Sequence, residues 1–169
     1  RKMLSHYDNA TLYNDSIVAQ IVKRFQKQDA IVIYVPDHGE ECYEENRGFI
    51  CRNHSAEIDW PLAHYEFEIP FWIYCSPKYI RNHRDIYRQI RKAKDKRFMT
   101  DALPHLLLYL AGIETPTYQE EYNILSPKYD EMRPRILKNS ADYDKLRDAH
   151  LEKVKKEESK KVKKKERRN

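Results

Sequence analysis

Asp37 and His38 stand side by side, followed at once by Gly39, Glu40 and Glu41, and this cluster is the most informative stretch of the 169-residue chain. A carboxylate oxygen and an imidazole nitrogen on one tight turn can reach the same cation, and zinc accepts that pairing of donors. The same dipeptide also fits a surface turn in which Asp37 caps a helix, so the pair by itself leaves both readings open. Two more histidines, His54 and His64, lie in the acidic, aromatic stretch 42–68. A connection of that length inside a compact domain usually serves a function, and its imidazoles could fold back as metal ligands or as a cationic clamp on phosphate. His6, His83, His105 and His150 show no partner pattern and read as structural or exposed.

The elements around the cluster must hold it in place. Asp8-Asn9 can cap a helix over residues 10–28, in which Leu12, Ile17, Ile21 and Phe25 form an apolar stripe and Lys23, Arg24 and Lys27 suit the C-terminal end. Residues 30–35, Ala-Ile-Val-Ile-Tyr-Val, are an unbroken apolar run stopped by Pro36. Such a run predicts a strand buried on both faces, as in a parallel sheet flanked by helices. The Asp-His cluster then falls just past the carboxyl end of that strand, where open α/β sheets place their chemistry. A second buried strand is expected over Ile69–Cys75, and residues 78–97 are basic with helix-compatible apolar positions. Thr100-Asp101 caps Ala102 to Ala111, with Pro104 in the first turn and Gly112 as the C-cap.

Charge is divided unevenly. The net charge is +5, yet residues 145–169 hold 12 Lys/Arg against 5 Asp/Glu, leaving 20 against 22 in residues 1–144. The body is slightly acidic, so a basic pI describes the tail and no nucleic-acid partner is expected. From about Ser140 the composition reads as a solvated helix or disordered tail. A mean hydropathy of −0.93 fits a globular chain of about one domain. No apolar run of spanning length occurs, and the first residues lack the core of a signal peptide. The start at Arg1, without an initiator Met, suggests that sequence lies upstream. Three cysteines, Cys42, Cys51 and Cys75, allow at most one disulfide, and whether Cys42 pairs with Cys51 is left open.

The residues resemble a known family. Tyr7-Asp8-Asn9 with Leu12, Tyr13 and Asp15, the strand ending in Asp37-His38-Gly39-Glu40-Glu41, the strand Ile69-Pro70-Phe71-Trp72-Ile73, and Thr100-Asp101 with Leu103-Pro104-His105-Leu106-Leu107 together look like the C-terminal half of the catalytic domain of phosphoethanolamine transferases. These belong to the alkaline-phosphatase/sulfatase-like superfamily, and the resemblance covers roughly residues 5–130. It implies an α/β fold, an α/β/α sandwich present as a partial domain over residues 1–138, followed by a Lys/Glu-rich tail over 139–169. It implies zinc at the carboxyl edge of the sheet, and a threonine nucleophile that takes phosphoethanolamine from a phospholipid donor. The group passes to lipid A or lipopolysaccharide core sugars at the periplasmic face of the inner membrane.

By that resemblance Asp37 and His38 are zinc ligands, and a further active-site histidine is His54, or else His64. The nucleophile, an upstream carboxylate ligand and the membrane helices would precede the matched region; neither Thr11 nor Thr100 substitutes, so the isolated chain is expected to be inactive. Cys75-Ser76-Pro77-Lys78-Tyr79 begins like the C-x-P-x-R signature of sulfatases, but Tyr79 stands at the Arg position and Cys75 reads as the end of a core strand. Other readings are a sulfatase-like hydrolase or phosphoglycerol transferase of the same superfamily, and a noncatalytic fragment whose basic tail meets anionic surfaces.

Overall fold

The computed structural model describes residues 2–52 and 57–166. In chain order its elements are α1 (Lys2–Phe25), β1 (Ile31–Tyr34), β2 (Glu41–Cys42), β3 (Phe49–Cys51), α2 (Trp60–Phe67), β4 (Trp72–Cys75), α3 (Pro77–Asn82), α4 (Arg84–Ala93), α5 (Leu103–Ala111), β5 (Ile136–Leu137), β6 (Ala141–Asp142) and α6 (Tyr143–Glu166). They form two compact units, residues 1–35 with 70–133 and residues 36–69 with 134–169.

In the first unit, α1 starts well before the predicted residue 10. Its apolar stripe extends back through Tyr7 and Leu4, no Gly or Pro occurs in residues 1–35, and Asp8 and Asn9 cost a helix interior only about 0.7 kcal/mol each relative to Ala. The stripe stays largely open, with Leu12 69% and Ile21 44% exposed.

The strand expectations are corrected in two respects. β1 and β4 pair antiparallel, with Ile31 opposite Cys75 and Tyr34 opposite Trp72, rather than in a parallel sheet. Both strands are partly exposed along their whole length rather than buried on both faces. An unalternating apolar run reports the tendency to be covered; it carries no information on the direction of the neighbouring strand.

Below β4, Ser76 is fully buried and ties three segments together. Its Oγ donates to the Gln28 carbonyl at 2.5 Å and accepts from the Ala30 N–H at 3.3 Å and the Tyr79 N–H at 3.0 Å, the last bond capping α3. The Leu-rich helix α5 has Pro104 in its first turn, and Gly112 follows it at φ 65°, so the expected stop signal holds. Leu106 on its inner face packs with Ala93, Ile124 and Leu125 in the core of this unit. Thr100 does not cap that helix: Thr100–Ala102 form a 3-10 turn, and the Asp101 carboxylate takes two hydrogen bonds from Arg133, at 2.6 and 2.7 Å.

The second unit is built from two short hairpins, β2–β3 and β5–β6, and two helices. Asp59 Oδ1 accepts from the Leu62 N–H at 3.0 Å and Pro61 occupies the first turn, so α2 begins with a strong start signal. Leu62 and Ala63 pack with Ile58, Leu137 and Tyr143. The tail helix α6 is thus anchored: Tyr143 and Leu146 belong to this core, Arg147, His150 and Val154 are half-buried, and the other residues from Asp148 through Lys161 are exposed.

Candidate functional site

Pro36 ends the apolar run and lets the chain turn at Asp37-His38-Gly39. The turn is held from the inside. The Gly39 N–H donates to the Glu66 carbonyl of α2 at 2.8 Å, and a Cβ at Gly39 would come within 2.1 Å of the Tyr65 carbonyl oxygen. Only glycine lets the backbone approach the helix end this closely.

That docking sets the imidazole. His38 Nδ1 lies 2.7 Å from the Gly39 carbonyl, which can only accept, so Nδ1 carries the proton and Nε2 presents its lone pair. Nε2 stands 3.7 Å from Asp37 Oδ2, while Asp37 Oδ1 accepts from the His38 N–H at 3.1 Å. Two donors on a tetrahedral zinc with bonds near 2.0 Å lie about 3.3 Å apart. The pair therefore needs only a small turn of the Asp37 side chain, which is 86% exposed, to share one cation. A backbone carbonyl fixing the distal ring nitrogen is the usual support for a metal-binding histidine. The donor set fits zinc as two ligands, and among the described residues no group of three His, Cys, Asp or Glu is placed to hold a metal.

Glu41, in the same cluster, has a structural role. It is fully buried in β2, where Arg47 Nε meets its Oε1 at 2.6 Å, and the same guanidinium reaches Asp59 Oδ2 at 2.6 Å. Burial raises the Glu41 pKa, an effect only partly offset by Arg47. Burial also pushes Asp59 upward, but the Leu62 N–H and the Arg47 guanidinium outweigh it and hold this carboxyl below its ordinary value.

The loop histidines separate. His54 lies outside the described residues. His64 sits on α2 with Nδ1 2.9 Å from Glu68 Oε1, and its ring stacks on Trp60 at 5.4 Å. Tyr143 donates its hydroxyl to the same Glu68 oxygen. Burial would raise the Glu68 pKa, yet the hydrogen bonds from Tyr143 and His64 prevail and lower it, while burial followed by Glu68 pushes Tyr143 up to about 12. Asp37 and His38 are thus brought together, whereas His64 is tied into a Glu68–Tyr143 network. Among the histidines expected to be structural, His83 pairs with Asp29 at 3.4 Å, His105 Nδ1 accepts from the Gln119 N–H at 3.1 Å, and His150 stacks on Trp60 at 5.1 Å. Cys75 ends β4, where burial raises its thiol pKa, the opposite of what a nucleophile needs.

Sequence reasoning gave Gly39 no more than a tight turn and did not find Glu66, Glu68 or Tyr143. Gly39 left a signal, being one of three glycines in the chain; the others act through contacts at long sequence separation.

The geometry can be set beside known proteins. The chain is 32% identical over 128 residues to phosphoethanolamine transferase EptC of Escherichia coli O18:K1:H7, covering 74% of this chain and 21% of that one. It is 29% identical over 99 residues to Kdo(2)-lipid A phosphoethanolamine 7''-transferase of E. coli K12, covering 57% of this chain and 16% of that protein. It therefore spans about a fifth or less of the length of these curated relatives. The crystal structure of the C-terminal periplasmic domain of EptC from E. coli in complex with Zn superposes with a TM-score of 0.65 at 30% identity, over 83% of this chain and 39% of that one. No helix among the described residues is long and apolar enough to cross a membrane. The sulfatase family model matches residues 1–113, a span that takes in the Asp37-His38-Gly39 turn and both core strands, and the chain belongs to the sulfatase family.

Proposed function

We propose that the chain is the C-terminal part of a zinc-dependent transferase that moves phosphoethanolamine from a phospholipid to lipid A or a lipopolysaccharide core sugar at the periplasmic face of the membrane. One observation carries the reading: His38 Nδ1 is committed to the Gly39 carbonyl, so that Nε2 and the Asp37 carboxylate are left as neighbouring donors. The names of the relatives supply the reaction class.

In this reading Asp37 and His38 are two zinc ligands, and the remaining ligand and the threonine nucleophile lie outside the described residues. Zinc in such a site lowers the pKa of a hydroxyl nucleophile and neutralises charge on a transferring phosphoryl group. The chain's own residues do the positioning. Gly39 docks the turn on α2, its carbonyl holds the His38 ring, and the Glu41–Arg47–Asp59 network fixes the strand and helix start on either side. His54 is the first candidate to meet the phosphoryl group. His64 is the second, its ring held by Glu68 through Nδ1. Residues 1–138 then belong to the catalytic domain and 139–169 form its charged extension.

The test is transfer by the whole protein in cells, read by mass spectrometry of extracted lipid A and core oligosaccharide. Asp37→Ala or His38→Ala should lower modification about 100-fold or more with unchanged circular dichroism. Modification at the wild-type level by both variants would overturn the assignment.

A further inference from the structure

The first unit contains a cavity of about 410 Å³ that none of the residues of the Asp37–His38–Gly39 turn lines. That volume lies within the range of small-molecule sites. Trp72 and Tyr74 of β4, Tyr87 and Ile90 of α4, and Phe98 line it with apolar surface, and Arg91, Lys94 and Lys96 stand on the same lining.

The charge around the cavity is predominantly positive. Residues 77–97 contain nine Lys/Arg against two Asp. Arg84, Arg88, Arg91, Lys92 and Lys94 are all exposed. Arg88 pairs with Asp85 at 3.1 Å and Lys94 with Asp95 at 3.5 Å, both exposed pairs that water screens, while Arg91 and Lys92 have no ion pair among the described residues. Lys96 is fixed in place, donating to the Ile124 carbonyl at 3.1 Å with its ammonium 5.4 Å from the Tyr129 ring centre.

An apolar chamber with cations at its edge matches an amphiphile that joins an anionic head to a hydrocarbon chain. A basic amphipathic helix is also the element that settles on anionic bilayers, each Lys or Arg contributing through the surface potential. Single-stranded nucleic acid would need exposed aromatic faces on which bases stack, and the aromatic rings here are partly buried and face the cavity. We propose that this cavity takes one acyl chain of an anionic phospholipid, with the lipid phosphate lying against Arg91 and Lys94. The proposal is independent of the Asp37–His38 reading, because it concerns other residues and its test needs no turnover.

Trp72 reports on it directly, since the chain has two tryptophans and Trp60 can be removed as Trp60→Phe. The 169-residue Trp60→Phe chain should be quenched by phosphatidylglycerol vesicles with brominated acyl chains and left bright by phosphatidylcholine vesicles with the same chains. Trp72→Phe in the otherwise unchanged chain should abolish that quenching. Arg91→Glu with Lys94→Glu should weaken vesicle binding at least about tenfold, and millimolar glycerol 3-phosphate should not displace the lipid. Binding with Trp72 unquenched would mean surface adsorption alone and would overturn the proposal. So would equal quenching by phosphatidylcholine, displacement by glycerol 3-phosphate, or tighter binding of a single-stranded oligonucleotide.

Discussion

The behaviour of His38 follows from the one hydrogen bond that its backbone neighbour supplies. With Nδ1 committed to the Gly39 carbonyl, the ring has one tautomer and one lone pair to offer. Gly39→Ala should therefore damage the site without touching a donor atom: its Cβ would meet the Tyr65 carbonyl at 2.1 Å, and the turn must lift off α2. We expect a loss of about 1–3 kcal/mol in stability together with weakened metal binding. Equal melting temperatures and equal zinc affinity for Gly39→Ala and wild type would contradict it. At this scale the sequence was readable where function is local. Adjacent Asp and His after an apolar run and before a glycine point to a candidate site without any knowledge of the fold. Glu41 shows the limit, because nothing in the run Glu40-Glu41 says which carboxylate will be buried against Arg47.

Among the elements, helices were the most legible and their surroundings the least. The spacing of Leu12, Ile17 and Ile21 predicted a helix, but periodicity does not say what covers the stripe, and in this chain it remains exposed. Leu12→Ser should therefore change the stability of the 169-residue chain by less than about 0.5 kcal/mol. Leu106→Ala, in the fully buried interior, should cost about 2–5 kcal/mol. Chemical denaturation of the two variants checks the contrast, and a large loss from Leu12→Ser would mean that α1 is covered. The strand direction was misread for a related reason, since the partner of β1 lies beyond a connection too long for sequence to orient. The tail helix, in turn, is not wholly solvated: Tyr143 and Leu146 hold its start. Tyr143 has its pKa raised to about 12 by burial and by Glu68, so the folded state keeps a proton that the unfolded chain gives up near pH 10. Its stabilising contribution is complete below pH 10 and is lost as pH rises towards 12. The pH dependence of unfolding should be steeper over that window in wild type than in Tyr143→Phe, and identical slopes would show that the hydroxyl is not buried against Glu68.

For the molecule as a whole, the family is shown by the sulfatase match over residues 1–113, and the zinc-bound EptC domain gives the fold a solved counterpart. Composition alone pointed elsewhere: a net charge of +5 reads as a nucleic-acid binder until the charge is located in the tail and on the helices of residues 77–97. The central claim is that Asp37 and His38 are zinc ligands, and metal content tests it most directly. The whole protein and its His38→Ala variant should be purified in parallel, dialysed against the same limiting zinc and assayed by atomic emission, with circular dichroism confirming equal folding. Our account predicts that wild type retains zinc in stoichiometric amount and that His38→Ala retains a small fraction of it. Full zinc occupancy in a folded His38→Ala protein would contradict it.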